Sequence, residues 1–253
     1  MSKPLILITN DDGIFAGGLK ALVEVCRPLG DIVIVAPDSP QSGQGHAITL
    51  NYPIRLRPVK EFEEEAYKCT GTPVDCVKLA KNIVLNNRKP DLCVSGINHG
   101  SNASINILYS GTMSAAMEAS LEGIPSIGFS YLDYDAEADF SACKKIATTL
   151  IEKILATPQD DKLLLNVNIP VLPYEEIKGI KVCRQSKGNW TEEFKVAEDP
   201  RGEKYYWMTG AYYTEETATD TDIWALENGY VSVVPSHHDL TDYKQLDLLK
   251  NII

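Results

Sequence analysis

Short blocks of consecutive apolar residues recur along the chain, and the segments between them carry apolar positions at helical spacing. The first block, Leu5-Ile6-Leu7-Ile8, ends abruptly in Thr9-Asn10-Asp11-Asp12-Gly13. Four apolar residues in a row predict a strand buried on both faces, here one that delivers two adjacent carboxylates to its own C-terminal end. Residues 17–29 place Leu19, Leu22, Val23 and Cys26 on one helical face before Gly30, and residues 31–37 form a second apolar block. Strand, helix and strand within about 35 residues make a right-handed βαβ unit. Residues 48–59 alternate loosely, and Pro53 and Pro58 direct that strand or hairpin arm to a sheet edge. The acidic run 61–65 reads as solvated surface. Gly71-Thr72-Pro73 opens a helix, with Thr72 as its cap and Pro73 in its first turn.

Strands are expected again at 91–95, 124–131 and 163–168, and helices at 113–121 and 138–155. This regular return of strand and helix indicates an α/β fold with a mostly parallel, doubly wound sheet. From Tyr174 the texture changes. Segments 179–185, 190–196 and 204–209 are shorter, more charged and richer in aromatics, as in antiparallel strands of a projecting arm. A helix at 221–227, a strand at 229–235 and a helix at 240–249 complete the chain. Three parts are therefore expected: a catalytic core over 1–172, a β-rich arm or oligomerisation extension over 173–215, and a closing strand and helix within 216–253.

Composition narrows the function. A formal net charge of -11, from 24 basic and 35 acidic side chains, argues against a surface for a nucleic-acid polymer, whose backbone demands clustered Lys and Arg. A small anion remains compatible if a metal inverts the local field. Six scattered cysteines without a CxxC read as free thiols of a reducing compartment. No segment approaches the roughly 20 apolar residues of a membrane span, and no signal-peptide core is present. A soluble cytoplasmic protein is expected.

Three polar clusters then fall after three strands of one sheet: Asp11 and Asp12, Ser42, and Asn98. In open α/β sheets that edge binds ligands, and two neighbouring acids call for a cation. Carboxylate, hydroxyl and amide oxygens suit a hard ion, Mg²⁺ or Mn²⁺, and not a softer metal at His46 or His99. Ser110-Gly111-Thr112, ahead of an alanine-rich helix, offers backbone N–H groups to an oxyanion, although Ser110 or Thr112 would serve equally as an ordinary cap. Gly43 and Gly45 allow a second backbone approach to an anion. The signatures of a P-loop and of dinucleotide binding are absent. Tyr109 and the aromatics of 190–213 are candidates to stack on a ring or simply to pack locally.

Read in order, Asn10-Asp11-Asp12-Gly13, Ser42-Gly43, Gly71-Thr72-Pro73 with Asp75-Cys76-Val77, the run from Ser95 to Asn102, and Tyr109-Ser110-Gly111-Thr112 with Ala115-Ala116-Met117-Glu118 resemble the SurE survival protein family. The likeness continues weakly through Thr221-Asp222-Ile223 and the strand at 229–233. It departs at Val234-Pro235-Ser236, where no expected ligand lies. The resemblance implies a three-layer Rossmann-like core with a β-rich C-terminal extension, assembled as a homodimer or homotetramer. It implies a phosphatase for nucleoside 5'- and 3'-monophosphates with one divalent metal ion per subunit. Asp11, Asp12, Ser42 and Asn98 would be its ligands, and Asn98, Ser110, Gly111 and Thr112 the phosphate contacts. Asp11 and Asp12 are the catalytic candidates, Asp11 first, with Asn10, Gly43, His46 and Asn102 in support. Alternatives are a phosphatase for polyphosphate or another phosphomonoester, and a non-catalytic metal- or nucleotide-binding module.

Overall fold

The opening apolar run forms β1 (Leu5–Thr9), every residue of which is buried. Side chains alternate across a strand, so Leu5 and Leu7 enter one apolar cluster while Ile6 and Ile8 enter another on the opposite face. The same division holds in β2 (Asp31–Pro37), with Val33 and Val35 on the first side and Ile32 and Ile34 on the second. A sheet apolar on both faces needs helices on both. Helices α1 (Gly17–Cys26) and α4 (Ser141–Ala156) cover one side, and α2 (Pro73–Leu79) and α3 (Gly111–Leu121) the other. The computed structural model describes residues 3–158 and 163–253 and is a three-layer α/β/α sandwich. Residues 1, 2 and 159–162 of the expected core lie outside that description.

The remaining strands are β3 (Leu56–Pro58), β4 (Glu65–Cys69), β5 (Leu92–His99), β6 (Ser126–Tyr131), β7 (Leu164–Ile169), β8 (Ile180–Val182), β9 (Asn189–Glu198), β10 (Lys204–Tyr213) and β11 (Val231–Pro235). Nine of the eleven described strands form one sheet in the order β3-β4-β2-β1-β5-β6-β7-β11-β8. From β4 to β7 every pairing is parallel, whereas β3 and β11 run antiparallel to their inner neighbours. The order turns at β1: later strands build outward through β2 on one side and through β5 on the other. The crevice beyond the C-terminal ends of β1 and β5 is therefore the switch point at which such sheets bind ligands.

Several elements differ from expectation. Of residues 48–59 only Leu56–Pro58 pairs, at the edge its prolines demand. The acidic run ends by opening β4, an inner strand parallel to β2. Its sequence, Glu65-Ala66-Tyr67-Lys68-Cys69, has only Ala66 and Cys69 buried, so it lacks the continuous apolar signature. The strand expected at 91–95 runs on to His99, with an irregular register against β6 between Ser95 and Asn98. Segment 179–185 contributes β8 to the main sheet, while β9 and β10 alone form the projecting hairpin, paired from Asn189 and Tyr213 to Glu198 and Lys204. Helices α5 (Asp222–Glu227) and α6 (Tyr243–Lys250) close the chain, and α6 buries none of its residues. All six cysteines are free and buried. Among the described residues no helix is long and apolar enough to cross a membrane.

Candidate metal and phosphate site

β1 delivers its acids through a turn locked by Asn10. The buried amide of Asn10 donates from Nδ2 to the Gly13 carbonyl (2.9 Å) and accepts from the Gly13 N–H at Oδ1 (3.2 Å), while Gly13 takes φ +102°. Asp11 follows, buried beside the first turn of α3. The Thr112 hydroxyl donates to its Oδ1, and an added Cβ on Gly111 would lie 2.6 Å from the Asp11 Cβ. Glycine at 111 is thus what lets the carboxylate reach the helix. The anion met by this helix N-terminus is accordingly Asp11 itself, a favourable place for negative charge. Ser110 caps the helix, its Oγ accepting from the Met113 N–H at 3.0 Å.

Asn98 arrives from β5 and is oriented from behind. Its Nδ2 donates to the carbonyls of His99 (3.0 Å) and Gly100 (2.9 Å), which directs the amide so that Oδ1 is the oxygen left to offer. Deeper still, Asn102 joins a buried amide ladder. Its N–H donates to Asn168 Oδ1 and its Nδ2 to Ser130 Oγ, both at 2.8 Å, while Asn166 donates to the Asn102 carbonyl. The loop after β2 is docked by the Gln41 N–H on the Asp11 carbonyl (2.8 Å) and carries Ser42 and Gly43 in an exposed turn. Gly43 has φ +73° and open space around its Cα.

Asp11, Ser42, Gly43, Asn98, Asn102 and Ser110 line one cavity of about 280 Å³. Gly111 and Thr112 lie behind Asp11 and do not line it. Asp12 also stands back, with Oδ2 buried and without a hydrogen-bond partner. Burial, joined by the repulsion of Asp12, pushes the Asp11 carboxyl up to about 6 against the hydrogen bonds from Thr112. Burial raises Asp12 too, opposed by His99. Neither acid takes part in an ion pair among the described residues. A buried carboxylate repelled by a half-buried neighbour, one of whose oxygens is orphaned, calls for a positive charge, and the nearby hydroxyl and amide oxygens suit a hard cation. Among the described residues no group of three or more His, Cys, Asp and Glu could hold a metal, so any ion here relies on Ser42 and Asn98 to complete its set.

The family model for the survival protein SurE matches residues 6–192. The chain belongs to the SurE family. Similar SurE proteins include one from Flavobacterium psychrophilum, 53% identical over 99% of this chain and 98% of its own, and one from Cytophaga hutchinsonii, 55% identical over 98% and 96%. Both are named 5'-nucleotidase SurE. The crystal structure of the SurE protein from Aquifex aeolicus is 42% identical and superposes with a TM-score of 0.85, covering 98% of this chain and 99% of that one.

In this SurE chain His46 stands apart from the other candidates. It lines a neighbouring cavity of about 570 Å³ and pairs with Glu118 at 2.9 Å. His99, Asn106, Tyr134 and Trp190 also line the Asp11 cavity. Of these the sequence offers Trp190 only among the aromatics of 190–213, as a candidate to stack on a ring, and does not single out Asn106 or Tyr134. His99 lay within the quoted Ser95-to-Asn102 run and was weighed only as a soft-metal ligand. In the fold it borders Asp12, packs edge-on against Phe140 with centroids 5.3 Å apart, and keeps Nδ1 buried without a partner. Asn106 carried no local signal, because its contact with Trp190 spans 84 residues.

Proposed function

We propose that this SurE-family chain is a metal-dependent phosphomonoesterase that hydrolyses nucleoside 5'-monophosphates, and 3'-monophosphates beside them, to nucleoside and phosphate. The observation that carries the reading is buried Asp11 beside half-buried Asp12, neither in an ion pair among the described residues, at the switch point of the sheet. The name 5'-nucleotidase borne by its close relatives supplies the substrate class. One Mg²⁺ or Mn²⁺ per subunit would be held by Asp11, Asp12, Ser42 and Asn98. Such an ion, when bound, neutralises phosphate charge and makes water a stronger nucleophile.

The side chains divide the remaining work. Thr112 holds the carboxylate of Asp11, the acid that reaches the cavity in which the phosphate would lie. Asn98, tied through its Nδ2, presents a carbonyl oxygen without reorganising. Ser110 and the open backbone at Gly43 border the phosphate, and Gly111 and Thr112 support it from behind by holding Asp11 on α3. Direct attack by water, with Asp11 as proton acceptor, inverts configuration at phosphorus; attack by Asp11 and then water retains it. A chiral phosphate ester separates the two routes.

The arm within 173–215 is assigned to a homodimer or homotetramer, with 1–172 as the catalytic core and 216–253 closing the fold. The six unpaired cysteines fit the reducing cytoplasm. The test is phosphate release from a panel of nucleotides, sugar phosphates and polyphosphate, after chelation and with ions restored singly. Release from nucleoside monophosphates that disappears with chelator and returns with Mg²⁺ or Mn²⁺ is expected. Release confined to polyphosphate or sugar phosphates would replace the substrate, and binding without release would remove the enzymatic reading.

A further inference from the structure

The cavity around Asp11 has more than polar walls. Tyr109, Tyr134 and Trp190 also line it, and these residues are 52%, 76% and 36% exposed. A site that held phosphate alone would gain nothing from wet aromatic surface. Of the three, Trp190 is the one whose position is imposed from several directions. Its Nε1 donates to Asn106 Oδ1 at 2.7 Å, and Asn106 is itself tied through Nδ2 to the Ser101 carbonyl at 3.1 Å. Its cross-strand partner Tyr212 meets it edge-to-face, with ring centroids 6.3 Å apart at 75°. Gly210 leaves the space the ring needs, since a Cβ there would stand 3.3 Å from Trp190 Cε3. Tyr212 is anchored in turn, its hydroxyl donating to Ser104 Oγ at 2.7 Å. The indole is thus clamped between the 104–108 turn and the root of the hairpin, with part of its ring left open to the cavity.

We propose that Trp190 is the base-binding residue of this site. Its indole packs on the nucleobase of a nucleoside monophosphate whose phosphate lies at Asp11, Ser42 and Asn98, an inference that rests on the nucleotide reading given above. Because the indole N–H is committed to Asn106, the residue offers the base a π-face and apolar area but no hydrogen bond. Stacking of that kind accepts every base. The substrate class is therefore nucleoside monophosphates with little discrimination among bases, and larger purine rings favoured over pyrimidines by contact area alone.

The experiment compares kcat/KM for a nucleoside 5'-monophosphate and for ribose 5-phosphate, which carries the same phosphoester without a base. Trp190→Leu lowers the ratio of the two about ten-fold or more, the scale of one base–aromatic stack, chiefly through KM for the nucleotide, and Trp190→Phe restores most of it. Tryptophan emission is quenched by the nucleotide in the unsubstituted chain, and that quenching is lost in Trp190→Phe. An unmoved ratio, or an equal fall for both substrates, makes Trp190 a packing residue of the hairpin root and overturns the proposal. If the unsubstituted chain cleaves ribose 5-phosphate but no nucleotide, the nucleotide reading and the proposal fall together. That outcome is visible before any variant is made.

Discussion

Among the described residues Asp11 forms no ion pair, and its side chain is held against the first turn of α3 by Thr112 and Gly111. Its charge and its placement are consequently separable by mutation. Asp11→Asn keeps the volume and removes the charge, so nucleotide hydrolysis is expected to fall by about 10²–10³-fold or more with an unchanged circular dichroism spectrum. Gly111→Ala does the reverse. Alanine is the better helix former by about 1 kcal/mol, yet its methyl group occupies the space of the Asp11 side chain. Phosphate release should drop at least about a hundred-fold while the thermal midpoint moves by only a few degrees. At this scale the sequence was informative about residue type and place. Asp11, Ser42 and Asn98 are polar residues where buried strands end, which is a local pattern. That Thr112 serves Asp11 and not the cavity, and that Asn106 holds Trp190, are facts of tertiary approach that no local pattern encodes.

Among the elements, β1 and β2 were legible from a continuous buried apolar run, whereas β6 and β7, fully buried but interrupted by Ser126, Ser130, Asn166 and Asn168, followed from the regular return of strand and helix. α2 was legible by its cap, where Thr72 and Asp75 exchange side-chain and backbone hydrogen bonds ahead of Pro73. β4 was not, because a strand that hides only two of five residues and begins in an acidic run resembles surface. The short 3₁₀ turn Ser104–Leu108 and the hairpin root depend on a polar node instead. Asp222, at the start of α5, accepts from the N–H groups of Ser104, Ser186 and Ile223, each at 2.8 Å. Asp222→Ala strands those buried donors, and each costs about 1–3 kcal/mol when left unpaired. A loss of about 3 kcal/mol or more in urea-unfolding stability is expected, with Asp222→Asn losing less because its amide oxygen keeps part of the acceptor set.

Over the whole molecule the chemistry lies on one edge of the sheet while the projecting hairpin carries the exposed apolar surface. Phe194, Val196, Tyr206, Trp207 and Met208 are each at least half exposed on strands that pair with no strand of the main sheet. Soluble monomers rarely leave such surface uncovered, and a second copy of the chain is the cover assigned to it. Replacing Phe194 and Val196 with lysine should lower the mass measured by light scattering toward the 27.9 kDa of one chain. The doubly wound class was readable from strand and helix succession. The closing order β7-β11-β8 was not, because an antiparallel strand returning from near the C-terminus obeys no local rule. The hairpin root has one further consequence. Its two rings, Trp190 and Tyr212, grip the turn that borders the cavity, and its far end carries the exposed apolar surface proposed to meet a second copy. Turnover on nucleotides should then depend on how much of the protein there is: on dilution through the dissociation range, specific activity falls, and it recovers when the protein is concentrated again.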